Sequence, residues 1–79
     1  NKIKSLQKQE EQILLQVDQC DSKIGKITAA MSDPDNYQYG EKMKPLVSEL
    51  DRTKSELQEL MNGWESVHTE LEEMSEHET

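Results

Sequence analysis

Phenylalanine is absent from this sequence, arginine and cysteine occur once each, and aromatic residues of any kind make up 4% of the chain. Apolar residues reach only 32%, against the usual level of roughly 45–50%. A chain of 79 residues with so little to bury cannot enclose a large globular core, so the expectation is a single small domain, residues 1–79, with regular helical packing. The lone Cys20 has no internal disulfide partner, which favours a reducing, cytoplasmic compartment. No apolar run approaches the roughly 18–20 residues of a membrane span, and no signal-like segment is present. The start on Asn1 reads as a piece cut from a larger soluble protein.

Chemistry-bearing motifs are missing as well. There is no glycine-rich phosphate loop, no CxxC or HExxH, and no Ser, His and Asp set on a common scaffold. No catalytic, cofactor-binding or metal-ligating residue is therefore expected in this segment. Asp33 and Asp35 begin like a calcium loop, but Tyr37 stands where a third ligand belongs and no glutamate closes the set. His68 and His77 lie nine residues apart, off the shared helix face that metal ligands need. His68 reads as a solvated flank residue, and Cys20 as a small buried hydrophobe. The acidic balance, a net charge of −8, repels phosphate backbones and weighs against nucleic-acid binding by the bulk surface.

What the chain has is rhythm. Alternate steps of three and four from Ile3 meet Leu6, Glu10, Ile13, Val17, Cys20, Ile24, Ile27 and Met31. The same steps from Met43 meet Leu46, Leu50, Thr53, Leu57, Leu60, Trp64, Val67, Leu71 and Met74. Each series is a heptad seam, the pattern of a helix that packs one narrow face on a partner helix. Leu14, Val47 and Met61 flank the seams and predict a wider apolar stripe.

Between the seams, SDPDNYQYG breaks the pattern. Asp33 reads as an N-cap before Pro34 at the first position of a short turn. Gly40 is expected to supply backbone freedom for entry to the next helix, and Pro45 to fall in its first turn, where a missing N–H costs nothing. The fold expected is all-α, a two-helix antiparallel coiled-coil hairpin: helix one about 2–32, tip about 33–41, helix two about 42–75. Facing residue numbers should sum to about 74, which sets Cys20 against Thr53 and Glu10 against Trp64. Lys2, Lys4 and Lys8 then neighbour the glutamate-rich end of helix two. Tyr37 is expected to fold back over the last seam layer and Tyr39 to face solvent. Tyr39, Lys42 and Lys44 are the candidate partner contacts at the tip; Asp33, Pro34, Tyr37 and Trp64 are the structural ones.

Taken in order, "AAMSDPDNY", "LVSELDRTKSELQEL" and "GWESV" resemble the C-terminal coiled-coil domain of ABC-F family ATPases of the Uup-like type, over about residues 13 to 72. The resemblance implies a parent protein with two ATP-binding cassettes that bind ATP and Mg, with this segment as a non-catalytic appendage after the second. It carries over Asp33, Pro34 and Tyr37 as the tip motif and Trp64 as the closing aromatic. It also implies a cytoplasmic protein that acts on the ribosome or ribosomal RNA, as a translation factor or in antibiotic resistance. A DNA-binding arm is the second expectation, carried by Lys42, Lys44, Arg52 and Lys54, although the acidic surface counts against it. An architectural coiled coil from an unrelated cytosolic protein is the third. A monomeric segment without membrane contact is expected in each case.

Overall fold

In a computed structural model the chain is all-α, and the structure describes residues 1–77, with side chains through Met74. Three helices follow one another: α1 (Lys2–Met31), α2 (Pro34–Tyr37) and α3 (Gly40–His77). The described molecule is a rod of 59 × 15 × 14 Å. At 1.5 Å per residue, α3 alone runs its length. The long helices lie against each other, and their contacts join residues in opposite order. Glu10 meets His68, Ile13 Cδ1 lies 3.9 Å from where a Cβ on Gly63 would sit, and Lys23 meets Glu49. These pairs bracket the register expected from the seams.

Burial follows the heptads closely. Every residue of both seams is at least partly shielded, while the positions between them face water almost without exception. The five most buried residues are Leu6, Cys20, Ile27, Thr53 and Val67. All of them are second positions of their heptads, reached by the step of three. A two-helix seam has no third layer to cover it, so most of its members stay half-buried. The stripe is narrower than the sequence suggested: Leu14, Val47 and Met61 are 46%, 42% and 41% exposed. They sit beside the line of contact, where no neighbouring helix among the described residues reaches them.

Local chemistry sets the helix ends. The Asn1 side chain caps α1 by accepting from the Ile3 N–H at 3.0 Å, satisfying a donor that has no partner inside the helix. At the other end Pro34 disfavours helical geometry in the residue before it. Asp33 is accordingly extended, with φ −74° and ψ 125°, and α1 stops. The Ser32 N–H still donates to the Thr28 carbonyl at 3.1 Å, and its hydroxyl to the same oxygen at 3.0 Å.

Two readings of the connection need correction. Gly40 has no positive φ; it is simply the first residue of α3, and the expected backbone freedom is not used. Helix α3 starts there because the Tyr39 carbonyl already accepts from the Lys42 and Met43 N–H groups at 3.0 and 3.2 Å. Pro45 therefore lies inside the helix, beyond its first turn. Its ring leaves the Glu41 carbonyl without the usual i−4 donor, a loss tolerated on an exposed stretch where water can serve.

Candidate functional site

The end of the rod is built from α2 and its two junctions. The Asp33 carboxylate accepts from the Asp35 N–H at 3.0 Å, and its carbonyl accepts from the Asn36 and Tyr37 N–H groups at 2.9 and 3.0 Å. That is the chemistry of a proline-started helical turn, with the carboxylate spent on capping. Asn36 then ties the turn to the shaft, its Nδ2 donating to the Ala30 carbonyl at 2.8 Å in a partly buried bond. Lys42 closes the other side. Its Nζ donates to the Asp35 carbonyl at 3.3 Å and stands 5.2 Å from the centre of the Tyr39 ring, within cation–π range.

Pinned in this way, the tip presents its aromatic side chains outward. Tyr37 and Tyr39 are 54% and 57% exposed. The expectation that Tyr37 would pack over the last seam layer is thus corrected: α2 is a single turn fixed through Asp33 and Asn36, and it carries the Tyr37 ring away from the seam. Tyr39 and Lys42 are brought together, and Lys44 is exposed in the second turn of α3. Lys44 makes no ion pair among the described residues. Arg52 and Lys54 lie two to three turns up the shaft and take no part in the tip.

Towards the other end, Trp64 is half-buried and stacks on His68, with ring centroids 4.8 Å apart and planes 13° from parallel. His68 Nδ1 lies 3.4 Å from Glu10 Oε2, and its Nε2 lies 3.1 Å from Glu72 Oε1. His68 keeps the flank position expected of it, with 45% of its side chain exposed, and has partners there. It fills the space beside the indole and gives the one acidic seam residue a partner, a role that Glu10 facing Trp64 in sequence did not reveal. The Trp64 indole N–H is buried without an acceptor. Cys20, only 8% exposed, lines an open groove of about 490 Å³ together with Gln16, Lys23 and Glu56. The His77 side chain lies outside the described residues. Among those described, no group of acidic, His or Cys side chains is arranged to hold a metal ion.

Lys23 and Glu49 form the closest ion pair along the shaft, at 2.8 Å. The hydrogen bond to Glu49, with its charge, raises the Lys23 amine above its ordinary pKa. The same bond holds the Glu49 carboxyl below its own. Both side chains are exposed, so solvent screens the interaction and it serves to set register more than to stabilise.

The carboxylate contacts of this arrangement lie along the shaft, Glu10 and Glu72 beside His68 and Glu49 beside Lys23. What it offers is a stiff shaft ending in two exposed tyrosines and a lysine. Residues 2–73 match the family model described as ABC transporter C-terminal domain. No curated protein and no solved structure matches the chain. No described helix is long and apolar enough to cross a membrane.

Proposed function

Since the chain belongs to the ABC transporter C-terminal domain family, the non-catalytic C-terminal domain of ABC-F, Uup-like ATP-binding cassette proteins, we propose that it is an antiparallel coiled-coil hairpin serving as an interaction arm of a cytoplasmic ABC-F ATPase. In this reading the parent protein binds and hydrolyses ATP with Mg, and the arm engages the ribosome through its tip. The observation that carries the reading is the exposure of Tyr37 and Tyr39 at the end of a rod 59 Å long. Aromatic rings left in water at the tip are free to take a partner, and with the exposed Lys44 in the second turn of α3 they suit stacking on unpaired bases of ribosomal RNA.

DNA is the second reading, favoured by the same aromatic and basic residues. It is weakened by the net charge of −8 and by the position of Lys42, already engaged by Tyr39 and the Asp35 carbonyl. The isolated domain should bind duplex or single-stranded DNA no tighter than about 10 μM at physiological salt.

Cosedimentation of the parent protein with ribosomes tests the proposal. Tyr37→Ala, Tyr39→Ala and Lys44→Glu together should weaken ribosome binding while leaving helicity unchanged. Undiminished ribosome binding by the triple variant would overturn the tip assignment. Submicromolar DNA binding, lost when Lys42, Lys44, Arg52 and Lys54 become glutamine, would promote the DNA reading.

A further inference from the structure

Six large apolar or aromatic side chains are conspicuously exposed among the described residues. Two are the tip tyrosines. Of the other four, Leu14, Val47 and Met61 each directly follow a seam residue, Ile13, Leu46 and Leu60 respectively, and Leu15 adjoins Leu14. The ion pair of Lys23 with Glu49 shows what that spacing means. Each of those two residues directly precedes a seam residue, and they meet across the seam. In two helices running in opposite directions, positions preceding the seam share one edge, and positions following it share the other. Leu14 and Met61 therefore share the edge opposite the ion pair. The contact of Ile13 with Gly63 puts them at nearly the same height, with Val47 further along the same edge towards the tip.

Close to this cluster the charges have one sign, the nearest lysine on the same edge being Lys54, two turns from Met61 towards the tip. Within one turn on either side of Leu14, Leu15 and Met61 there is no Lys or Arg, whereas Glu11, Asp18 and Glu65 are present and exposed. We propose that the edge carrying Leu14 and Met61, with Leu15 on the outer face of α1 beside it, is a docking site for a cationic amphipathic helix, whose apolar side chains seat on the cluster while its Lys or Arg residues meet Glu11, Asp18 and Glu65. A second copy of the chain would bring the same carboxylates and a further charge of −8. A phosphate backbone or an anionic lipid surface is repelled for the same reason. A cationic helix gains from both halves of the patch: burial of the leucines and methionine fixes how long it stays, and the acidic rim speeds its arrival. The site lies on the shaft and is independent of the tip.

The test is a titration of the isotope-labelled chain, followed by amide NMR shifts, with an amphipathic Leu/Lys peptide of about five turns. A scrambled peptide of the same composition, with no apolar face, is the control. The patterned peptide should bind at least roughly tenfold more tightly, a difference of about 1.4 kcal/mol. Its shifts should centre on residues 14, 15 and 61. Leu14→Ser with Met61→Ser should abolish that preference without loss of helicity. Glu11→Gln, Asp18→Asn and Glu65→Gln together should flatten the salt dependence of binding. Equal affinity for both peptides, shifts centred elsewhere, or a preference that survives the serine substitutions overturns the proposal. Concentration-dependent self-association removed by those same substitutions would also overturn it, by giving the edge to a second copy.

Discussion

Replacing Trp64 by alanine separates packing from polarity at the largest side chain of the seam. Truncating a fully buried Trp costs about 3–5 kcal/mol. Trp64 is only half-buried, which brings the packing loss to roughly 2–3 kcal/mol on the same scale. Losing the stack on His68 adds about 0.5–1.5 kcal/mol. In the other direction, the buried indole N–H without an acceptor carries a desolvation cost of about 1–3 kcal/mol that disappears with the ring. The balance of the mid-range values is a net loss of about 1.5 kcal/mol, or roughly 6–12 °C in melting temperature for a domain of this size. Trp64→Phe keeps a ring over His68 and removes the orphan donor, so it should stay within about 1 kcal/mol of the parent. Thermal and urea melts followed by circular dichroism measure both variants. An alanine variant that melts within about 4 °C of the parent would show that the indole adds little to the seam. A phenylalanine variant as weak as the alanine one would show that the N–H has a partner after all.

Three further outcomes follow from the same structure. Spin labels at Ser5 and Thr69 should lie close together within one molecule at every concentration; a separation near 40 Å, about one arm's length, is incompatible with the hairpin. Gly25→Ala should raise the melting temperature by about 4–8 °C, because a Cβ there meets nothing within 4 Å and glycine inside a helix costs about 1 kcal/mol relative to alanine; an unchanged or lower value would mean that the helix is not continuous there. The small stability gap between the parent and Glu49→Gln should depend on pH with a defined sign. Glu49 is held low and Lys23 high, so the pair's contribution is present above the ordinary Glu value of about 4.3 and below the ordinary Lys value of about 10.4. It fades as pH falls through the lowered carboxyl value or rises through the raised amine value, and in high salt it shrinks. A gap that widens in acid contradicts the assignment of this pair.

Heptad spacing identified the contact face because burial in a two-helix rod depends almost wholly on angular position, and angular position is periodic in sequence. Glu10 and Thr53 show that the rule holds for polar members too: Glu10 is shielded and Thr53 fully buried, its hydroxyl donating back to the Glu49 carbonyl at 2.8 Å. The Asp33–Pro34 start of α2 was legible because both residues act on their own backbone. The partners of His68 were not. They lie four residues along its own helix and across the seam on α1, and no spacing within one helix points to the second of these. The outward direction of Tyr37 was hidden for a related reason, since it depends on the bond from Asn36 to Ala30, which fixes how a single turn sits on the shaft. The capping role of Asn1 follows from residue type alone, since its side chain acts on the backbone two residues on. The interaction role has no local signature, because helical rods of many functions share the same leucines; only the ordered set of tip and closing motifs pointed to the family matched over residues 2–73.

The most direct measurement is photo-crosslinking from single positions of the parent protein mixed with purified ribosomes. A photoreactive phenylalanine analogue at position 39 should crosslink to ribosomal RNA or a ribosomal protein. The same analogue at position 22, an exposed site on the shaft, should not. Crosslinks from position 22 with none from position 39, or no ribosomal crosslink from either, would contradict an arm that works through its tip.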